Sequence, residues 1–466
     1  MSSARALSRT HPPAAQWRGV PRASTDRLAV LVSAGLIATI SSRLHEITSA
    51  SALFRPAMTL SVIAALVLFP RVPKSRLVAV WKDKRFQSVF RYFAWAMLAM
   101  PFAIWRGGAL DTITGAFLPV FVLFTAMLLI SPNEEHLEFL QKAFVLSSTA
   151  HVLLLKVLMG AGRLSGLGSL DPNDLASLAA MTTPLAMALA QRAKSLGERL
   201  FYIGATIILI LGVMWTSSRG GFLALVVGLF VFIALLPAQR RGQILFVLLV
   251  ALPVLWFTAS ERYRKRIINI ANYEEDYNTT DFWGRKQIWA RGRIYIARNP
   301  IVGVGVRGFE TYDGMYMKEI GKTGKWSAPH NAYIQSTAEL GLPGGALFLL
   351  ILIGAGRAAL GFAFKRGQGF LSAPRPEFTS AMATFAAGAY FLSQAYSVQL
   401  FTLVAMIAFT DIIRRTGGNV GPPASGPPPP PVRGRVAVRG WRSARSAIHA
   451  AHVASATKPH SQERTS

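Results

Sequence analysis

Apolar stretches of near-spanning length recur along most of the chain, and this repetition limits the possible folds more than any single motif does. Read in a window of about 19 residues, they fall near 28–42, 55–70, 89–105, 112–131, 143–160, 174–191, 199–217, 220–237, 243–259, 343–364, 379–396 and 399–413. Inside a hydrocarbon layer the backbone has no water to bond, so such runs must satisfy their own N–H and C=O groups, which a helix does. The expected fold is an all-α polytopic membrane protein of about twelve transmembrane helices. Composition agrees, with 52% hydrophobic against 15% charged residues.

The charged residues are strongly unbalanced, 50 Lys and Arg against 22 Asp and Glu, for a formal net charge of +28. A nucleic-acid binder carries such charge on a polar domain surface, which this chain lacks, so no nucleic-acid partner is expected. The positive-inside rule explains the excess better. Arg5, Arg9, Arg18, Arg22 and Arg27 precede the first run, which lacks the cleavage site of a removable signal peptide. Basic clusters then fall on alternate connections: Arg71 to Arg85, Arg192 to Arg199, Arg240 and Arg241, and Lys365 to Arg375. The connection at Glu134, Glu135, Glu138 and Lys142 is acidic and does not follow the pattern.

The expected organisation follows from these assignments. Residues 1–27 form a cytoplasmic N-terminal segment and 28–259 a bundle of about nine helices. The long connection 260–342, mixed in charge and rich in Trp, Tyr and Gly, reads as a folded lobe on the opposite face, followed by C-terminal helices over 343–415. Within the lobe, Gly284 to Arg298 has helical composition and stops at Asn299-Pro300. Residues 416–466, rich in Pro and spaced Arg, cannot bury a core and read as a disordered cytoplasmic tail, solvated or drawn to anionic head groups. Both termini are thus expected inside. With no cysteine, thiol nucleophiles, thiolate metal sites and disulfides are excluded.

Topology sorts the eight histidines. On the outer face are His45, near the end of the first run, and His330, where the lobe returns to the membrane. His330 at that boundary is either a general base for a hydroxyl or an interfacial residue bonding the lobe. Arg219, in Trp215-Thr-Ser-Ser-Arg219-Gly-Gly221, sits in a hairpin so short that its guanidinium lies at or below head-group level. An ionisable residue at that depth is a candidate functional site, with snorkelling to the interface as the alternative. Arg285 and Arg163 share its face and offer further forks for phosphate oxygens. Asp171-Pro-Asn173-Asp174 has the composition of a helix cap.

Gly303-Val-Gly305-Val-Arg-Gly308 satisfies G-x-G-x-x-G but follows Asn299-Pro300 outside any βαβ unit, so a tight glycine turn is expected and no dinucleotide. Carboxylates at Glu274, Glu275, Asp276, Asp281, Glu310 and Asp313 form either a solvated face or a hard-cation site. No metal or other cofactor is assigned.

In order, spacing and shared face, several segments resemble one family. They are Arg163 with Asp171-Pro172-Asn173, Ser218-Arg219-Gly220, Gly284-Arg285-x-x-x-Trp289, Asn299-Pro300-Ile-Val-Gly303-Val-Gly305, and Pro329-His330-Asn331-x-Tyr333-x-Gln335-x-x-x-Glu339-x-Gly341. From about Arg163 to Gly345 the chain resembles the bacterial O-antigen ligase and Wzy-type polymerase superfamily. The resemblance implies a GT-C-like glycosyltransferase of the inner membrane, acting on the periplasmic side. Its implied donor is a glycan on undecaprenyl diphosphate, its acceptor a sugar hydroxyl, and a chain-length regulator is a further candidate partner. The family's essential histidine and arginines map onto His330, Arg219 and Arg285, with Arg163 as a third arginine. Asn331, Tyr333, Gln335 and Asn173 become candidate glycan contacts. Direct attack on the donor would invert the anomeric centre. The run after His330 is closer to the polymerases than to the ligases, so polymerisation of O-antigen or exopolysaccharide repeats is expected, with ligation to lipid A core as the alternative.

A transporter of polysaccharide or lipid-linked sugar is the reading from a different class, since about twelve spans is also a common carrier topology. It predicts midplane charges and internal repeats, and the sequence offers neither: Lys156 and Asp411 lie toward run ends, and 260–342 has no counterpart in the first half.

Overall fold

In a computed structural model the described residues are 26–42, 55–160, 162–165, 171–258, 261–270, 281–322, 326–364, 371 and 373–416. Residues 1–25, most of the tail, His45 and the cluster Glu274 to Asp276 lie outside them. The described residues are helical or irregular, with no strand among them.

Each of the twelve apolar runs falls on a helix. In chain order these are Asp26–Ser42, Pro56–Leu68, Lys84–Ala99, Arg106–Thr112 continuing through a π-turn into Leu118–Leu129, Glu134–Met159, Pro172–Arg192, Leu196–Thr216, Arg219–Leu235, Ala238–Thr258, Ala332–Phe364, Pro376–Ala389 and Val398–Thr416. Local chemistry sets their starts. Asp83, Asn133, Asp171, Ser195 and Ser218 each accept a backbone N–H of the following first turn. Shorter helices add Lys74–Trp81, Glu261–Ile268, Arg285–Arg298 and Phe309–Glu319.

Four helices, Arg106–Leu129, Glu134–Met159, Leu196–Thr216 and Ala332–Ala363, are long and apolar enough to cross a membrane. Pro56–Arg71 and Lys74–Trp81, bent by 118°, make a fifth if taken as one span. Pro172–Arg192 and Val398–Thr416 are buried almost all round, the position of central helices in a bundle. Ala176, Ala179 and Ala180 on the first of them let its neighbours approach closely. Leu66, Val157, Phe230 and Leu249 face outward, as lipid-facing side chains would.

One end of the bundle is tied by ion pairs. Arg76 meets Asp26 at 2.9 Å, Arg85 meets Asp411 at 2.5 Å, Arg192 meets Glu377 at 2.8 Å, and Arg375 meets Glu134 at 2.7 Å. Lys142 bridges Glu138 and Glu198, both at 2.9 Å. The acidic connection at Glu134 therefore lies at the same end as the basic clusters, where it neutralises Arg375 and Lys142. Burial of Arg76, Asp411, Glu377 and Arg375 makes their pairing necessary, because an unpaired charge there would carry its full desolvation cost.

Two boundaries differ from the hydropathy reading. The long helix begins at Ala332, eleven residues before the apolar run at 343, because the Asn331 side chain accepts from Tyr333 N and Ile334 N, both at 3.0 Å. The run 379–396 is helical only to Ala389. The rest is an irregular turn whose Leu392 and Ala395 are buried, and hydropathy cannot distinguish a buried turn from a span.

Candidate active site

Helix direction puts the Arg219 hairpin at the end opposite the ion pairs. Leu196–Thr216 closes with Ser217 in the left-handed region (φ 51°), and Ser218 caps the next helix by accepting Gly221 N at 3.1 Å. Arg219 is that helix's first residue. The two glycines after it allow close packing: a Cβ on Gly220 would lie 2.8 Å from Phe391 Cβ, and one on Gly221 would collide with Ala176.

Asp171-Pro-Asn173-Asp174 forms the expected cap, with the Asp171 side chain accepting Asn173 N at 2.7 Å and Asp174 N at 2.8 Å. Asn173 also receives the Ser218 hydroxyl at 2.8 Å, joining two helix starts. Arg163 donates through Nε to Thr216 O at 2.7 Å. Arg266, absent from the sequence reading, donates to Ser217 O at 3.1 Å. Both guanidiniums thus meet carbonyls at the negative end of a helix, where cations are favoured.

Arg285 heads the helix Arg285–Arg298. One turn on, Trp289 donates through Nε1 to Pro329 O at 2.8 Å, tying this helix to the residue before His330. Further along, Arg291 pairs with Asp313 at 2.7 Å, and Tyr295 donates to the same carboxylate at 2.6 Å. Asp313 is fully buried, so this acidic residue holds two helices together and is neither a solvated face nor a cation ligand. Among the described residues no three His, Cys, Asp or Glu side chains converge as metal ligands.

His330 adopts φ 45°, a left-handed conformation uncommon outside glycine, and its N–H donates to Ser393 Oγ at 2.9 Å. Backbone strain of this kind is held only where the surroundings fix it, and it concentrates at functional sites. Of the candidate glycan contacts, Asn331 caps the long helix and Tyr333 donates to Ala386 O at 2.9 Å. Gln335 accepts Ala395 N at 3.1 Å.

The turn 390–397 is the common support. Tyr390 packs edge-on against Trp289 with ring centroids 5.1 Å apart, and Phe391 abuts Gly220. Ser393 receives His330, Gln394 donates to Asp174, and Ala395 donates to Gln335. The starts of the Arg219 and Arg285 helices and the left-handed His330 are thus gathered about one turn. Asn173 and Arg163 join through the hairpin. Gly303 to Gly308 forms the expected glycine turn: Gly305 N donates to Glu339 O at 2.9 Å, and the positive φ values of Gly303 and Gly341 let the turn close on a break in the long helix. Among the described residues no strand precedes it.

Residues 204–349 match the family model Wzy_C, described as O-antigen ligase. Over this segment the chain is similar to O-antigen ligase. A comparison with curated proteins finds no match. The matched residues include Arg219, Arg285, Arg266 and His330, and leave out Arg163, Asn173 and the turn 390–397 that supports the site.

Sequence reasoning missed Arg266, Ser393 and Gln394. A cluster of basic residues in Arg262-Tyr-Arg-Lys-Arg266 was the available signal for the first. Nothing local marks the other two, whose partners lie far away in sequence.

Proposed function

We propose that the protein is an inverting glycosyltransferase of the bacterial inner membrane, transferring a glycan from undecaprenyl diphosphate to a sugar hydroxyl on the periplasmic face. The observation that carries this reading is the convergence of two arginine-headed helix starts and the left-handed His330 on the turn 390–397. Helix N-termini present N–H groups and positive dipole ends to anions, and arginine forks suit phosphate oxygens. The basic connections share the opposite end, which the positive-inside rule makes cytoplasmic, so the His330 end faces the periplasm. In this proposal all twelve apolar helices belong to the membrane bundle, the helices over 260–342 form its periplasmic lobe, and both termini are cytoplasmic.

The His330 imidazole takes the proton of the acceptor hydroxyl as its oxygen attacks the anomeric carbon. A new carbon–oxygen bond forms while the bond to the diphosphate oxygen breaks, and the electron pair leaves with the diphosphate. Arg219 and Arg285 stabilise that growing charge, with Arg163 behind the hairpin. Attack opposite the leaving group inverts the anomeric centre.

The acceptor is read as another repeat unit, making the enzyme a polymerase, on the strength of His330-Asn331-x-Tyr333-x-Gln335. The description of the matching family favours the second reading, ligation of a finished glycan to lipid A core. Gel profiles of lipid-linked and surface glycans from cells lacking the protein separate them. Single repeat units mean a polymerase; long chains held on the carrier beside an uncapped acceptor mean a ligase; an unchanged profile rejects both. Arg219→Lys should weaken undecaprenyl diphosphate binding by on the order of tenfold or more, because a point charge does not reproduce a bidentate fork.

A further inference from the structure

A cavity of about 420 Å³ opens at the same end of the bundle, behind the turn that supports His330. Its wall includes Ser393, whose hydroxyl receives the backbone N–H of His330. Most of it lies outside the residues matched by the family model, on segments that the sequence motifs do not reach: Asp111, Gly115 and Pro119 on one side, Gln394 in the turn 390–397 and Gln399 on the other.

The chemistry of this wall differs from that of the arginine side. Asp111 is paired with Arg55 at 3.0 Å and with Arg307 at 3.6 Å, and the Asp174 carboxylate accepts the Gln394 amide. The other polar groups are amides and hydroxyls, Gln335, Gln399, Ser393 and Ser397 among them. A diphosphate calls for several guanidinium forks, and this wall carries one, Arg307; Ile40, Ala57, Ala116, Pro119 and Val398 supply its apolar part. Amides and hydroxyls, which both donate and accept, match the alternating donors and acceptors of a sugar's hydroxyls. The volume falls within the usual range of small-ligand pockets, about 300–1,000 Å³.

We propose that this cavity is the acceptor site, holding an uncharged, hydroxyl-rich sugar of the acceptor glycan with the reacting hydroxyl directed past Ser393 toward His330. The inference rests on the glycosyltransferase reading above and adds to it a second site, separate from the diphosphate. Donor and acceptor then approach from opposite sides of the turn 390–397, and residues on the helices Arg106–Thr112 and Val398–Thr416 set which sugar is elongated.

Gly115 provides the test, since it lines the cavity and a Cβ there meets nothing within 4 Å. Gly115→Phe and the near-isosteric Gln399→Leu are made in the full-length protein, and each is examined in two ways. Undecaprenyl diphosphate binding is measured in nanodiscs, and glycan transfer is followed by gel profiles of complemented cells. Both variants should bind undecaprenyl diphosphate as wild type does while transferred glycan falls, by on the order of tenfold for Gln399→Leu. Wild-type transfer by Gly115→Phe would overturn the proposal. A parallel loss of undecaprenyl diphosphate binding would also overturn it, by assigning the cavity to the donor or to the fold. Failure of the wild-type protein both to bind undecaprenyl diphosphate and to restore the glycan profile would sink the glycosyltransferase reading itself.

Discussion

The backbone N–H of His330 donates to the hydroxyl of Ser393 across 2.9 Å, joining the start of the longest helix to the turn after Pro376–Ala389. This bond, with the Trp289 bond to Pro329 O on the preceding residue, holds His330 in its left-handed conformation. Ser393→Ala removes the acceptor and frees the backbone. Loss of one such bond should cost about 1 kcal/mol of stability. The cost to catalysis should be larger, on the order of tenfold to a hundredfold in transfer, because a misplacement of about 1 Å at a reacting group is costly. Thermal denaturation beside a transfer assay checks this, and equal small losses in both would contradict it.

Asp313 tests the support of the Arg285 helix. It is buried between Arg291 and Tyr295, so Asp313→Leu leaves a buried guanidinium unpaired and should destabilise the protein by about 3–5 kcal/mol. Pairing it with Arg291→Met should restore much of that loss, since the two effects are coupled. Thermal denaturation of both singles and the double gives the coupling.

Burial, followed by the Asp313 carboxylate, pushes the Tyr295 hydroxyl above the ordinary tyrosine range, so it stays protonated and donating. The folded pKa is raised, so this contribution is complete below the unfolded value of about 10 and is lost as the pH rises beyond it. Tyr295→Phe should lower stability near neutrality and flatten its decline on the alkaline side. A parallel alkaline decline in both proteins would contradict the assignment.

Gly341 tests the break in the long helix. Its φ of 70° and the approach of Ile301 O leave no room for a side chain. Gly341→Ala should cost at least about 1–3 kcal/mol in backbone strain and displace the glycine turn at 303–305. A variant as heat-stable as wild type would show that the break tolerates a Cβ.

Much of the architecture was legible because the hydrocarbon layer leaves so few choices. Every apolar run became a helix, and Asp171 and Ser218 announced their caps by residue type. Arg219 stood out because an ionisable residue in so short a hairpin is either a functional site or a side chain snorkelling to the interface. The turn 390–397 was hidden for the same reason that the apolar helices were visible: Phe391 and Leu392 raise its hydropathy, yet the segment is irregular. The pairs Arg375 with Glu134 and Gln394 with Asp174 join residues far apart in sequence, and no local pattern encodes them. Glu134 illustrates the consequence, an acidic connection at odds with the charge rule until its arginine is known.

The central claim is that His330 takes the acceptor's proton. The most direct measurement is the glycan profile of cells lacking the protein and complemented with His330→Ala, with the amount of variant in the membrane determined in parallel. The account predicts variant protein at the wild-type level together with the glycan defect of cells that lack the protein. A normal profile from His330→Ala would contradict it.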